Sequence, residues 1–129
     1  MKLFIATPMS AFNKEEYNEL REIINRIKQF SEEEIFAEIT TVNQTEFFEP
    51  KEALKQDLKA IDESEKFIMI YPSKIHSSVL IELGYAIAKD KEILILTKDK
   101  KDIPYLAQDL EIKVFKSISE LESILISLS

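Results

Sequence analysis

Apolar residues in this chain follow two alternating rhythms. Short, nearly unbroken apolar runs occur at KLFIA (2–6), KFIMIY (66–71) and EILILT (92–97). Strands read this way when helices cover both faces of their sheet, because neither face has room for polar side chains. IFAEITTV (35–42) and IKVFK (112–116) are more mixed strand candidates. The segments between them have a helical period. NKEEYNELREIINRIKQF (13–30) carries apolar residues at 17, 20, 23, 24, 27 and 30, with Glu15 and Glu16 near its start, where a helix dipole favours anions. EPKEALKQDLKAIDES (49–64), HSSVLIELGYAIAKD (76–90) and ISELESILISL (118–128) read as further helices, and IPYLAQDL (103–110) as a short one. Pro50 is acceptable in the first turn of its helix.

Regular strand–helix alternation with doubly covered strands predicts one domain over residues 1–129: a three-layer α/β sandwich with a five-stranded parallel sheet, order 2-1-3-4-5. In that order the ligand crevice opens at the carboxyl ends of strands one and three, where the chain reverses direction. Two loops are thereby singled out, TPMSAFN (7–13) and YPSKIHSS (71–78). A phosphoryl-accepting receiver of this topology needs an acidic pair in the first place and an Asp in the second. Thr7-Pro8 and Tyr71-Pro72 stand there instead.

Composition narrows the chemistry. The 129 residues carry a net charge of −7, which argues against a nucleic-acid partner. There is no Cys, one His (His76) and one Gly, so a thiol nucleophile, a His-rich zinc site, a GxGxxG fingerprint and a P-loop are excluded. No metal or cofactor is expected. No apolar run is long enough for a bilayer, so no membrane partner is expected, and MKLFIATPMSAF reads as a buried strand and not as a signal peptide. With no Cys, the expected location is cytoplasmic. Any reaction must rest on carboxylates, hydroxyls and tyrosines.

One stretch then stands out. SSVLIELGYAIA (77–88) holds Glu82 in an apolar run, together with Gly84, the only glycine. A buried ionised carboxylate without a partner costs several kcal/mol, so Glu82 is paired, protonated or functional, or else lies on the one wet stripe beside Lys89. A glycine inside a helix costs about 1 kcal/mol relative to Ala, which points to a close-packing position at Gly84. A hydroxyl of Ser77 or Ser78 is expected to cap this helix.

SEKFIMIYPSKIHSSVLIELGYAIAKDKEILIL resembles the core of the nucleoside 2-deoxyribosyltransferase family and its relatives, the deoxynucleoside-monophosphate N-glycosidases. The family has a strand, a polar loop, a Glu-Leu-Gly helix and the next strand. QDLKAIDESEKFIMIY is similar to the family's second helix and puts Asp57 at its acidic position, and KLFIATPMSAF is similar to the opening strand and substrate loop. The resemblance implies a flavodoxin-like fold, a catalytic Glu82, Asp57 as proton donor to the leaving base, and a homo-oligomer. SKIHSSVLIEL is also similar to bacterial TIR domains, which cleave the nicotinamide–ribose bond of NAD with a Glu on the same helix.

Departures from the pattern qualify what it implies. His76 and Ser77 stand where relatives have Asp or Ser, and Thr7-Pro8 where the hydrolases have Gly-Ser. Phe4 lacks the transferases' tyrosine hydroxyl, and ESILISLS has no C-terminal amide. Hydrolysis is therefore expected to exceed base transfer. A carboxylate can stabilise or capture the oxocarbenium-like centre of a breaking N-glycosidic bond. The expected substrate is a nucleoside, a nucleotide or NAD. Its candidate contacts are Thr7, Pro8, Met9 and Phe12 in the first loop, and Tyr71, His76, Ser77 and Ser78 in the second. A nucleotide sensor without turnover, or a TIR-like interaction domain, is the alternative.

Overall fold

The computed structural model describes residues 2–40, 49–73 and 78–128. Strands β1 (Lys2–Ala6), β2 (Glu34–Ala37), β3 (Lys66–Tyr71), β4 (Glu92–Thr97) and β5 (Glu111–Val114) form one parallel sheet in the order β2-β1-β3-β4-β5. Helices α1 (Lys14–Phe30), α2 (Pro50–Glu63), α3 (Val79–Ala88) and α4 (Ile118–Leu128) connect and cover it. The expected architecture and strand order are both present.

Alternation along each strand builds two cores. Leu3, Ile5, Ile68, Ile70, Leu94 and Leu96 face α1 and α4. Phe4, Ala6, Phe67, Met69, Tyr71, Ile93 and Ile95 belong to the other core, with α2 and α3. Phe4 stacks between Phe36 and Phe67, with ring centroids 5.2 and 5.4 Å away. This apolar stack across the three strands β2, β1 and β3 fixes their faces, since a one-residue slip would turn each ring to the opposite core.

Local signals set the ends of α1. Asn13 accepts from the Glu16 amide at 2.8 Å while the Glu16 side chain accepts from the Asn13 amide, a reciprocal cap. Strand β2 is shorter than its apolar pattern suggested. After Ala37 the chain tightens into a 3-10 turn, Glu38–Thr40, pinned by the Thr40 hydroxyl donating to the Ala37 carbonyl at 2.7 Å. The remainder of the expected strand lies outside the described residues. The expected short helix at 103–110 is only a 3-10 turn, Tyr105–Ala107.

Two expectations about α3 are corrected. Gly84 is not a close-packing point: it is exposed, and a Cβ built on it would meet no atom within 4 Å. Nothing among the described residues explains the glycine. The left-handed position that follows the helix is held by Asp90, at φ 56°, so glycine is not used even where its freedom is favoured. Ser78 makes no side-chain cap, although its carbonyl accepts from the Ile81 and Glu82 amides. Ser77 lies outside the described residues.

Gly84→Ala should therefore stabilise the protein by about 0.5–1 kcal/mol, through helix propensity and lost freedom in the unfolded chain. Thermal melting checks this. A lower melting temperature would mean that another molecule approaches Gly84 closely.

Candidate active site

The chain reverses its winding between β1 and β3, and the loops at their carboxyl ends part there. A cavity of about 580 Å³ opens at this end of the sheet. That volume is within the roughly 300–1,000 Å³ usual for small-molecule sites. Thr7, Pro8, Met9 and Ser10 line it from the loop after β1, and Glu38 from the turn after β2. Pro50, Ala53, Leu54 and Asp57 contribute one stripe of α2, and Ser78, Val79, Ile81 and Glu82 the first turn of α3. A smaller cavity of about 140 Å³ sits at the amino end of the sheet, between Lys2, Glu34, Glu63 and Ser64. It is below the size of ordinary ligand sites.

Glu82 is not on a wet stripe. It is 6% exposed, and Lys89 lies at the other end of α3, within 3.8 Å of Asp62. Tyr85 packs its ring against the core under α3 and directs its hydroxyl outward to Asp62 at 2.8 Å. Glu82 meets carboxylates instead. Oxygens of Glu38, Asp57 and Glu82 all lie within 4.8 Å of one another. Asp57 is central and hydrogen-bonded to both of the others.

Such a cluster cannot hold three negative charges at neutral pH. Burial pushes the Glu82 carboxyl up to about 9, with the Asp57 charge adding to the effect. Burial and Asp57 likewise push Glu38 up to about 7. Asp57 is also raised by burial, but hydrogen bonds from Glu82 and Glu38 pull it back. Below about pH 7 the resting arrangement is thus an Asp57 carboxylate accepting from two neutral neighbours. The amino end of α3 favours an anion at Glu82, by about 0.3–1 kcal/mol at exposed sites. Desolvation of a buried charge costs several kcal/mol and wins.

The structure brings together Glu82, Asp57, Thr7, Pro8, Met9 and Ser78. The Thr7 hydroxyl is buried there with no hydrogen-bond partner. Phe12 and Tyr71 are not in the lining. Phe12 is 5% exposed in the core beneath α1, and Tyr71 is 1% exposed in the core beneath α3. A strand-end tyrosine pointing into a layer is indistinguishable in sequence from one pointing past it. His76 and Ser77 lie outside the described residues. Glu38 was missed, because its segment reads as continuous strand and a glutamate there reads as a solvated edge. The one available signal was Glu38 following IFA at the carboxyl end of the strand beside β1.

No family model and no curated protein matches the chain. Solved structures do. In fold the chain is similar to a CMP N-glycosidase. That enzyme, from Clostridium botulinum, superposes with a TM-score of 0.73 at 21% identity, covering 100% of both chains. A 2-deoxyribosyltransferase from Bacillus psychrosaccharolyticus follows at TM-score 0.65 and 17% identity, over 97% of this chain and 96% of that one. A 2-deoxyribosyltransferase from Leishmania mexicana gives 0.62 and 16%, over 96% of each. No helix among the described residues is long and apolar enough to cross a membrane.

Proton linkage at Glu82 can be measured. Its folded pKa of about 9 exceeds the ordinary 4.5, so the folded protein retains a proton that the unfolded chain releases between these values. The stability this confers is full below pH 4.5 and is lost as the pH rises through about 9. Glu82→Gln does not titrate, and its amide can still donate to Asp57. Its melting temperature should match wild type near pH 5 and exceed it increasingly towards pH 9. A pH-independent difference between the two proteins would contradict the shift.

Proposed function

We propose that this chain is an enzyme that cleaves the N-glycosidic bond of a nucleoside or nucleotide, with Glu82 acting on the anomeric carbon. One observation carries the reading: a buried carboxyl on the first turn of α3, hydrogen-bonded to Asp57, lines the switch-point cavity. Similarity in fold to a CMP N-glycosidase and to 2-deoxyribosyltransferases supports it.

The proton count closes. Glu82 releases its proton to the Asp57 carboxylate as its own charge is drawn to the oxocarbenium-like centre. The Glu82 oxygen bonds to the anomeric carbon while the carbon–nitrogen bond pair leaves with the base. Asp57 passes the proton to that base, which departs neutral. Water then attacks the anomeric carbon, releases Glu82, and returns one proton to the cluster. Phe4 does not bear on hydrolysis against transfer, because it is 1% exposed in the core between Phe36 and Phe67 and does not line the cavity. No Lys or Arg lines the cavity among the described residues, so a 5′-phosphate would rest on the α3 N–H groups and the hydroxyls of Ser10 and Ser78.

Incubation with deoxynucleosides, ribonucleosides, their monophosphates and NAD, followed by chromatography for free base and sugar, tests the reading. Glu82→Gln should reduce base release by several orders of magnitude while the protein remains folded, each tenfold being about 1.36 kcal/mol of barrier. Retained activity in this variant would remove Glu82 from the reaction. Turnover of NAD alone would favour a TIR-like hydrolase, and binding without turnover a sensor.

The cavity's rim carries exposed apolar side chains, with Leu54 48% and Ile81 62% accessible. Oxocarbenium chemistry gains from excluding water, and a second copy seated on this rim would supply that closure. Light scattering should therefore give a multiple of the 15.0 kDa chain mass. A 15.0 kDa species persisting through micromolar concentrations would count against assembly.

A further inference from the structure

We propose that Glu38 reads the leaving base: its carboxyl group donates a hydrogen bond to an unprotonated ring nitrogen, selecting nucleosides of cytosine and the purines over those of uracil and thymine. This rests on the N-glycosidase reading above and names the substrate class of the same site. Glu38 enters the cavity from the turn after β2, on the wall that also carries Asp57 and Glu82. Thr7 lines the same cavity, and its hydroxyl is buried there without a hydrogen-bond partner.

Proton bookkeeping gives Glu38 its role. At rest its O–H donates to Asp57, which also accepts from Glu82. When Glu82 passes its proton to Asp57, Asp57 ceases to be an anionic acceptor. A base in the cavity competes with Asp57 for the Glu38 O–H at rest, and takes it outright at that point. Cytosine offers N3 as an acceptor, and purines offer N3 and N7. In uracil and thymine nucleosides one ring nitrogen is glycosylated and the other carries hydrogen, leaving only weaker carbonyl acceptors. An ionised Glu38 could only accept, and would lose the discrimination.

Among the described residues, three elements packed around Glu38 set its charge. Asp57 faces it from α2 and Glu82 from α3. From α1, Tyr17 feels the field of both Glu38 and Arg21, and Lys28 donates to Thr40, two residues beyond Glu38. The two carboxyls and burial prevail, and Glu38 is neutral below about pH 7.

The test compares kcat/KM for cytosine, adenine, uracil and thymine nucleosides and their monophosphates at pH 6 and pH 8.5. Calorimetric binding of the four free bases accompanies it. Wild type should favour cytosine and adenine at least tenfold at pH 6, with the preference shrinking at pH 8.5. Glu38→Gln keeps an N–H donor that does not titrate, so it should hold the preference at both pH values. Glu38→Ala should lose it at both. A wild-type ratio in Glu38→Ala, or a preference for uracil and thymine, overturns the proposal. Base binding that depends on Glu38 without any base release supports it and overturns the enzyme reading. Base release with no dependence on Glu38 does the reverse. Loss of activity on chelation, restored by magnesium or calcium, would assign the three carboxylates to a cation and overturn it as well.

Discussion

Three carboxyl groups share one desolvated corner, and the character of the site follows from the impossibility of ionising all of them there. Glu82, Asp57 and Glu38 come from three separate elements, yet their oxygens fall within 4.8 Å. In water such a trio would spread apart. Here α2, α3 and the turn after β2 hold it in place, and protons do the work that counter-ions would do elsewhere. A site of this kind is charged by stages: one anion at rest, and the possibility of moving that anion to whichever oxygen the substrate requires.

The sheet supplies the rigidity that this arrangement needs. Phe4, Phe36 and Phe67 stack across three neighbouring strands, so the carboxyl ends of β1, β2 and β3 are fixed relative to one another. Glu38 leaves β2 at that level, and the loop after β1 brings Thr7 beside it. Helix α2 approaches with the stripe Pro50, Ala53, Leu54 and Asp57, which repeats every three or four residues and so presents an apolar wall ending in an acid. A polar group is tolerated at the edge of a layer where it would be costly at the centre.

Similarity to solved structures at 16–21% identity is a likeness of fold, and folds of this class host many chemistries. What sets this chain apart chemically is the corner itself. A carboxyl that is buried, raised and hydrogen-bonded to a second acid suits a reaction that first takes a proton away and then stabilises positive charge. It suits anion binding poorly.

The alternation of strand and helix, the parallel sheet and its order were legible in the chain, whereas the burial of Glu82 was one of two readings the chain left open. Each of the first three depends on local period or on the composition of one element, since an apolar run has no wet face. Asp57 was legible only through resemblance, since an acid flanked by lysines on α2 reads locally as solvated. Tertiary structure decided the rest. It turned Phe12 and Tyr71 into the cores, exposed Gly84, and brought Glu38 to the site. None of these could be read in advance, because which side of a layer a residue faces, and what stands opposite it, depends on elements far away in sequence. A single chain of residues records its own periods; distances between carboxylates on three different elements exist only once the sheet has closed the gap between them.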